Sequence, residues 1–405
     1  MKKNIAVNSI LLYTLFFFTS IIALQEIWFG ELFNSTDFLN WDAGHYHFIK
    51  NFGYEGHRVA FFPLFPLIWR FLSVGEYGII IFNTTIYFVS FYFLIKELKI
   101  KSIQQITFYL CIPSFIFFYL PFSESLFFLT SVVLLIGLKK HKDYLVYLGL
   151  FFAILSRPAF TIFIPALIIT EILSKRRDKI YFRICIYTLI TILGILIVGY
   201  IQYIDTGEWF QFFKAQKNWG NELQFPKFPL TSWGSGYALG LDGFACLVGV
   251  ISGSIILSLL IKLKWLDHQI IPKEVIFSFS YLGGITLLVL LYRGGSLFSL
   301  NRFVFATPFI IVVLNYWISQ NIHLKIKKLL LIFFLIFIFW LLFGSYTDLF
   351  QLLKFTLLSL YAILIFSIKS DREYVRKYSI IILIILNFTF QVVSFVGILN
   401  HKWIG

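Results

Sequence analysis

Apolar runs of roughly twenty residues alternate with short, mostly basic intervals along nearly the whole chain, and few of the runs carry a charge. About 20 apolar residues is the length that carries a helix across the ~30 Å hydrocarbon layer of a bilayer. The first run, Ile10 to Trp28, has that length and ends in no small-residue cleavage pattern, so it reads as an uncleaved first helix. Phe61 to Ile95 is long for one span, and its Phe61 to Leu72 part, with Pro63 and Pro66, reads as a broken lead-in. A hairpin follows from Ile103 to Leu138, turning at Pro121 to Ser125. A second, Tyr144 to Leu173, turns at Ser156-Arg157-Pro158; its arms are short for a span, which places Arg157 below the surface in a protein-lined cavity. The remaining spans are Ile180–Ile204, Leu241–Leu263, Val275–Tyr292, Phe303–Ile318, Leu329–Tyr346, Leu349–Ile368 and Ile380–Leu399. The pattern predicts an all-α, polytopic integral membrane protein of about 11–13 transmembrane helices. No polar stretch is long enough to fold alone and no internal repeat is evident, so residues 1–405 read as a single membrane-embedded domain.

Charge sets the orientation. Basic residues cluster at Lys2-Lys3, Lys96/Lys99/Lys101, Lys139–Lys142, Lys175–Lys179, Lys262/Lys264, Lys325–Lys328 and Lys369–Lys377. Placing them all on the cytoplasmic side puts the N-terminus inside and two large loops outside, at about 30–60 and about 205–240. An odd number of crossings then puts the C-terminus outside as well. Residues are 59% hydrophobic and 13% charged, and the net charge of +14 sits in these short clusters, as contact with anionic head groups requires. No basic face or reader motif accompanies the charge, so nucleic acid is excluded as a partner. Cys111, Cys185 and Cys246 lie singly in or near apolar runs and read as buried thiols.

The densest polar stretch is Asn40 to Pro66, N-W-D-A-G-H-Y-H-F-I-K-N-F-G-Y-E-G-H-R-V-A-F-F-P-L-F-P, which holds Asp42, Glu55, Arg58 and three of the seven histidines. Polar groups beside a bilayer are costly unless they face water, substrate or one another. Chemistry on that outer face has little access to ATP or nucleotide sugars, and no phosphate-binding glycine fingerprint is present. A sugar carried on a polyprenyl monophosphate fits: the leaving phosphate needs cations and the attacking hydroxyl needs a base.

N-W-D-A-G-H-Y-H-F-I-K-N-F-G-Y followed by A-F-F-P-L-F-P-L resembles the GPI mannosyltransferase 2 (PIG-V) family and its bacterial relatives, which are GT-C membrane glycosyltransferases. The family pattern is W-D-x-x-H-Y, a G-Y seven or eight residues on, and A-F-F-P-x-x-P opening the next helix. F-Y-L-P-F-S-E-S-L-F (Phe118 to Phe127), L-S-R-P (Leu155 to Pro158), Trp219-Gly220 and N-R-F (Asn301 to Phe303) match in the family's order across roughly residues 1 to 320. The resemblance implies a GT-C architecture and inverting transfer of mannose from a dolichol- or polyprenyl-phosphate donor, with the first-loop Asp as catalytic base. It leaves the acceptor open, as a lipid-linked or glycan hydroxyl. A bacterial plasma membrane, with the site on its extracytoplasmic face, is the setting it implies.

On that resemblance Asp42 is the base; the plain alternative is a helix N-cap. His45 and Tyr46 share its helical face and, with Trp41 and His57, are candidates to orient it or to hold sugar. As interfacial aromatics they need no function. The histidine spacing matches no standard zinc pattern, so no metal or soluble cofactor is assigned. Arg157 and Arg302 are the leading phosphate ligands, because guanidinium forks match phosphate oxygens. The alternatives are snorkelling for Arg302 and a buried pair with Glu124 or Glu171 for Arg157. Arg58 and Arg293 are weaker candidates. Glu124 is a candidate acceptor ligand or helix cap, and Trp219 a sugar platform or belt residue. Asn301 is a substrate-binding candidate beside Arg302. Three rival readings remain: a lipid or polysaccharide flippase, an inactive subunit of GT-C fold, and an O-antigen polymerase or ligase.

Overall fold

The computed structural model describes residues 5–174, 179–232, 236–262, 271–344 and 347–403; Lys2, Lys3, Lys175, Trp233 and Lys264 lie outside them. The chain begins with α1 (Ile5–Phe29), α2 (Asp42–Phe52), α3 (Leu64–Leu72) and α4 (Glu76–Glu97). It continues through α5 (Ile103–Leu110), α6 (Glu124–Lys140), α7 (Asp143–Ser156) and α8 (Phe163–Leu173). Next come α9 (Ile180–Thr206), α10 (Gln211–Asn218), α11 (Gly236–Ile261) and α12 (Lys273–Tyr292). The last are α13 (Leu300–Val304), α14 (Pro308–Ser319), α15 (Ile326–Phe339), α16 (Leu349–Ser367) and α17 (Glu373–Leu399). Among the described residues there is no strand, only the isolated bridges Thr231–Ser296 and Leu324–Ser370.

Among the described residues, eight helices are long and apolar enough to cross a bilayer: α1, α4, α9, α11, α12, α15 with the turn that follows it, α16 and α17. The protein is therefore all-helical and multi-pass. The long helices face both protein and lipid. In α1, Tyr13, Phe17, Ile21 and Gln25 recur every fourth residue and are buried, while Leu11, Leu12, Leu15 and Phe16 are exposed.

Part of the expected 11–13 crossings resolves into shorter pieces. The expected Ile103–Leu138 hairpin has no first span: α5 stops at Cys111, a 3-10 turn runs Pro113–Tyr119, and the chain bends by 108° into α6. Counting that bent pair gives up to nine helices of spanning length among the described residues, beside the shorter apolar helices Asp143–Ser156, Pro158–Leu173 and Pro308–Ser319. Fourteen residues of α-helix cover only about 21 Å. These short helices begin or end at breaks that lie inside the protein, where Ser156 and Thr307 are buried, as are Ser114 and Ser123 at the bend before α6. The Phe61–Ile95 stretch divides as expected, into α3 and α4.

A backbone break at membrane depth needs internal partners. Asn83 of α4 donates to the carbonyls of Leu120 (2.7 Å) and Phe122 (2.9 Å). Gln391 of α17 donates to those of Leu110 (3.0 Å) and Ile112 (2.7 Å) and accepts from the Tyr13 hydroxyl (2.9 Å). Polar residues on spanning helices thus fix the broken segment that leads to Glu124. Cys111 and Cys246 are buried as expected; Cys185 is not, because α9 turns it outward.

Basic residues collect at one end. Lys96, Lys139, Lys140, Lys325 and Arg372 stand where α4 and α6 end and α15 and α17 begin, opposite the end that carries α2. A buried cluster holds that end together: Glu171 of α8 accepts from Arg183 Nη2 (2.6 Å), from Lys273 Nζ (2.9 and 3.0 Å) and from the Tyr187 hydroxyl (3.3 Å). Replacing Glu171 by alanine takes a carboxylate away from Lys273 and from Arg183, which is only 2% exposed. Breaking a buried pair from one side costs about 3–5 kcal/mol. Glu171→Ala is expected to lower the thermal unfolding midpoint in detergent clearly; an unchanged midpoint would show that these cations reach water.

Candidate active site

The first polar loop folds back as α2 and a 3-10 turn, Gly56–Ala60, over the end of the helix bundle. Trp41 has φ +60°, a positive value that L side chains rarely adopt, and turns the chain so that Asp42 becomes the first residue of α2. Asp42 is therefore not the N-cap of this helix. Its carboxylate points instead to α13, where Arg302 Nη2 donates to Oδ2 at 2.7 Å. Arg302 follows a left-handed residue, Ser299 (φ +60°). At the other end of α2, Gly53 (φ +84°) is the glycine of the G-Y pair. The Asp205 carboxylate accepts from the Tyr54 amide at 2.8 Å, and a Cβ on Gly53 would lie 2.6 Å from it.

Arg302 is buried. Its Nε donates to Glu124 Oε1 at 2.8 Å, its Nη2 bonds the same oxygen, and Arg157 Nη1 stands 3.1 Å from it. Glu124 is fully buried at the start of α6, where the helix N-terminus favours a carboxylate. One buried glutamate thus joins two buried arginines, and Arg302 extends the chain to Asp42, whose side chain is 25% exposed. The faces of Phe117, Phe122 and Trp403 lie 4.8, 5.0 and 5.3 Å from the Arg302 guanidinium. Arg302 is not a snorkelling side chain, and the carboxylate paired with Arg157 is Glu124. Asp42 and Glu124 together hold the Arg302 proton more firmly than water does, against the effect of burial.

Asp42, Arg157 and Arg302 line one cavity of about 380 Å³ together with Trp41, His45, Tyr46 and Trp219. His45 stacks on Phe61 at 4.8 Å and meets His57 and Trp219 edge-on at 5.2 and 5.9 Å. Trp219 Nε1 donates to the His57 carbonyl at 3.4 Å. Burial lowers the His45 pKa; Asp42 opposes this, and His57 and Arg58 add to it. The ring is therefore neutral at pH 7 and adds an apolar, hydrogen-bonding face to the aromatic wall. The Tyr46 hydroxyl donates to Ser123 Oγ at 2.8 Å, and burial with Glu124 nearby raises it far above the usual phenol range.

Four predicted site residues do not line the cavity: His57, Arg58, Glu124 and Asn301. Glu124 is fully buried and held by Arg157 and Arg302, so it is no acceptor ligand, and His57 meets His45 and Trp219 edge-on from outside the lining. Arg58 does not line the cavity; its guanidinium covers the Phe48 ring at 3.7 Å. Asn301 is buried behind Arg302, where its amide group and backbone N–H donate to Asp242 Oδ1 (2.7 and 2.8 Å) and its Oδ1 accepts from Ser114 (2.9 Å). It positions α13 and does not reach the cavity. The cavity also takes in Trp403, Gln216 and Asn221, which the sequence reading missed, and Arg293, which it ranked low. Asp242 had a signal, since a carboxylate inside an apolar run demands a partner. Trp403 had none. Asn40 donates to the carbonyl of Leu399 at 2.9 Å, so the end of α17 and the first loop share one end of the bundle. Among the described residues, no three His, Cys, Asp or Glu side chains gather as a metal-binding group; His47 turns away from His45 and His57 towards Asn51 and Glu76.

Comparison with family models, curated proteins and solved structures finds no match. Chemically, the cavity offers an accessible carboxylate, a group of guanidinium cations and an aromatic wall with amide donors opposite. That set suits a ligand with both a hydroxylated ring and an anionic group.

Proposed function

We propose that the protein is a GT-C-type glycosyltransferase that takes a sugar, mannose on the family resemblance, from a polyprenyl-phosphate donor. It passes the sugar to a lipid-linked or glycan hydroxyl on the extracytoplasmic face of a bacterial plasma membrane. The observation that carries this reading is the meeting of Asp42 with three arginines, Arg157, Arg293 and Arg302, on one aromatic-walled cavity. The cavity lies at the end of the bundle opposite the basic helix ends, which fits an outward-facing site.

In the mechanism, the acceptor hydroxyl sits within hydrogen-bond reach of the Asp42 carboxylate and gives up its proton as its oxygen attacks the anomeric carbon. The bond from that carbon to the phosphate oxygen breaks on the opposite side, so configuration inverts. The electron pair leaves with the phosphate, whose growing charge faces the guanidinium groups.

The test is transfer in defined membranes: purified protein receives radiolabelled polyprenyl-phosphate-mannose and a lipid extract from the source cell. A labelled product bearing a new glycosidic bond is expected. Label that crosses the bilayer unchanged would put the flippase reading in its place.

A further inference from the structure

Three arginines line the cavity, and their charges are compensated unequally. Arg302 is paired with Asp42 and Glu124, and Arg157 with Glu124, so these two guanidinium groups already have two carboxylates. Arg293 has no carboxylate within 4 Å among the described residues. Its Nε donates to Asn221 Oδ1 at 2.8 Å and its Nη1 to the Phe298 carbonyl, both neutral acceptors. Asp242 is the nearest acidic influence, and its oxygens are taken by Asn301 and Ser232.

The setting is rigid. Arg293 caps α12 and is followed by Gly294 and Gly295, both with positive φ. The second outer loop is bonded along this turn: Glu222 N to Tyr292 O (2.8 Å), Lys227 N to Gly294 O (3.0 Å) and Thr231 N to Gly295 O (3.1 Å). A Cβ on Gly295 would stand 2.5 Å from the Lys227 carbonyl, so only glycine lets the loop lie this close. Asn221 is fixed in turn by donating to Gln216 Oε1 at 2.7 Å. Burial lowers the Arg293 pKa to about 10, still well above neutral pH, so the charge persists without a contact partner.

We infer that Arg293, held by Asn221, is the anchor for the phosphate group of the ligand, and that Arg157 and Arg302 instead position Asp42 and Glu124. This rests on the proposed function for the identity of the ligand, a polyprenyl phosphate ester, but not for the presence of an anion site. A partly buried guanidinium fork held by neutral groups keeps its full charge for an incoming anion, whereas a paired one must first give up a carboxylate.

The probes are polyprenyl monophosphate and the neutral polyprenol, titrated against the full-length protein in lipid nanodiscs. Wild type is expected to prefer the phosphate, and Arg293→Gln to lose about 10- to 100-fold of that preference. Asn221→Ala is expected to lose less, by loosening the fork. Arg293→His gives a second route should the glutamine variant not fold: its preference should be present near pH 5.5 and absent near pH 8, against wild type at both values. Equal binding of both probes by wild type, an unchanged preference in Arg293→Gln, or a histidine variant indifferent to pH would each overturn the inference. Loss of preference in Arg293→Gln without sugar transfer by wild type would retain the anion site and sink the glycosyltransferase reading. Transfer by wild type with an unchanged preference in Arg293→Gln would do the reverse.

Discussion

Asparagine in place of Asp42 is expected to slow sugar transfer by a factor on the order of 10³ while the donor binds at least as tightly. The amide has nearly the shape of the carboxylate and its oxygen still accepts from Arg302, which lies 2.7 Å away in the wild type. Arg302 keeps Glu124 as its anionic partner, so the fold is not at risk. What disappears is the proton acceptor. Removing one negative charge from a cavity that binds an anion takes away repulsion of roughly 2 kcal/mol at ~8 Å and an effective dielectric of about 20. The loss should therefore fall on kcat, with KM for the donor unchanged or lower. Single-turnover transfer with pre-bound labelled donor separates the two. Equal single-turnover rates for wild type and Asp42→Asn would make Asp42 a structural partner of Arg302 and remove the mechanism.

Much of this site is legible in the sequence because polarity is scarce there. Glu124, Arg157 and Arg302 each interrupt apolar or aromatic surroundings, where an ionisable group is retained only with a partner or a function, and Asp42 stands in the densest polar stretch of the chain. Which group pairs with which is not legible. Glu124 and Arg302 are 178 residues apart, and their meeting depends on how α6 and α13 start from separate backbone breaks. The expected 11–13 crossings exceed the eight or nine long apolar helices among the described residues for a related reason. Most of α6 is buried against protein, and an apolar stretch reads alike whether lipid or protein covers it. Arg293 is underrated because its significance lies in a missing partner. Only the structure shows that Arg157 and Arg302 are already matched while Arg293 meets neutral acceptors. Arg58 is the reverse: charged, in the right loop and beside His57, yet placed over Phe48.

Glutamine at position 124 is expected to be the most destabilising conservative change in the protein. Glu124 is fully buried, and it compensates Arg157 and Arg302, which are 6% and 5% exposed. Removing its charge leaves two buried guanidinium groups with Asp42 alone, and leaves the positive end of the α6 dipole facing them. Loss of one partner from a buried ion pair costs about 3–5 kcal/mol. For a chain of this length that is a fall on the order of 5 °C in the unfolding midpoint. Transfer should fall with it, because an Arg302 no longer held by Glu124 ceases to fix Asp42. The cause can be isolated by a cycle. Adding Arg157→Gln to Glu124→Gln removes the surplus cation and should return part of the lost stability, a coupling of about 1–3 kcal/mol between the two sites. Transfer should stay low in the double variant, since Arg302 remains unsupported. Strict additivity of the two substitutions would mean that Glu124 acts through its shape and hydrogen bonds, with charge compensation contributing nothing.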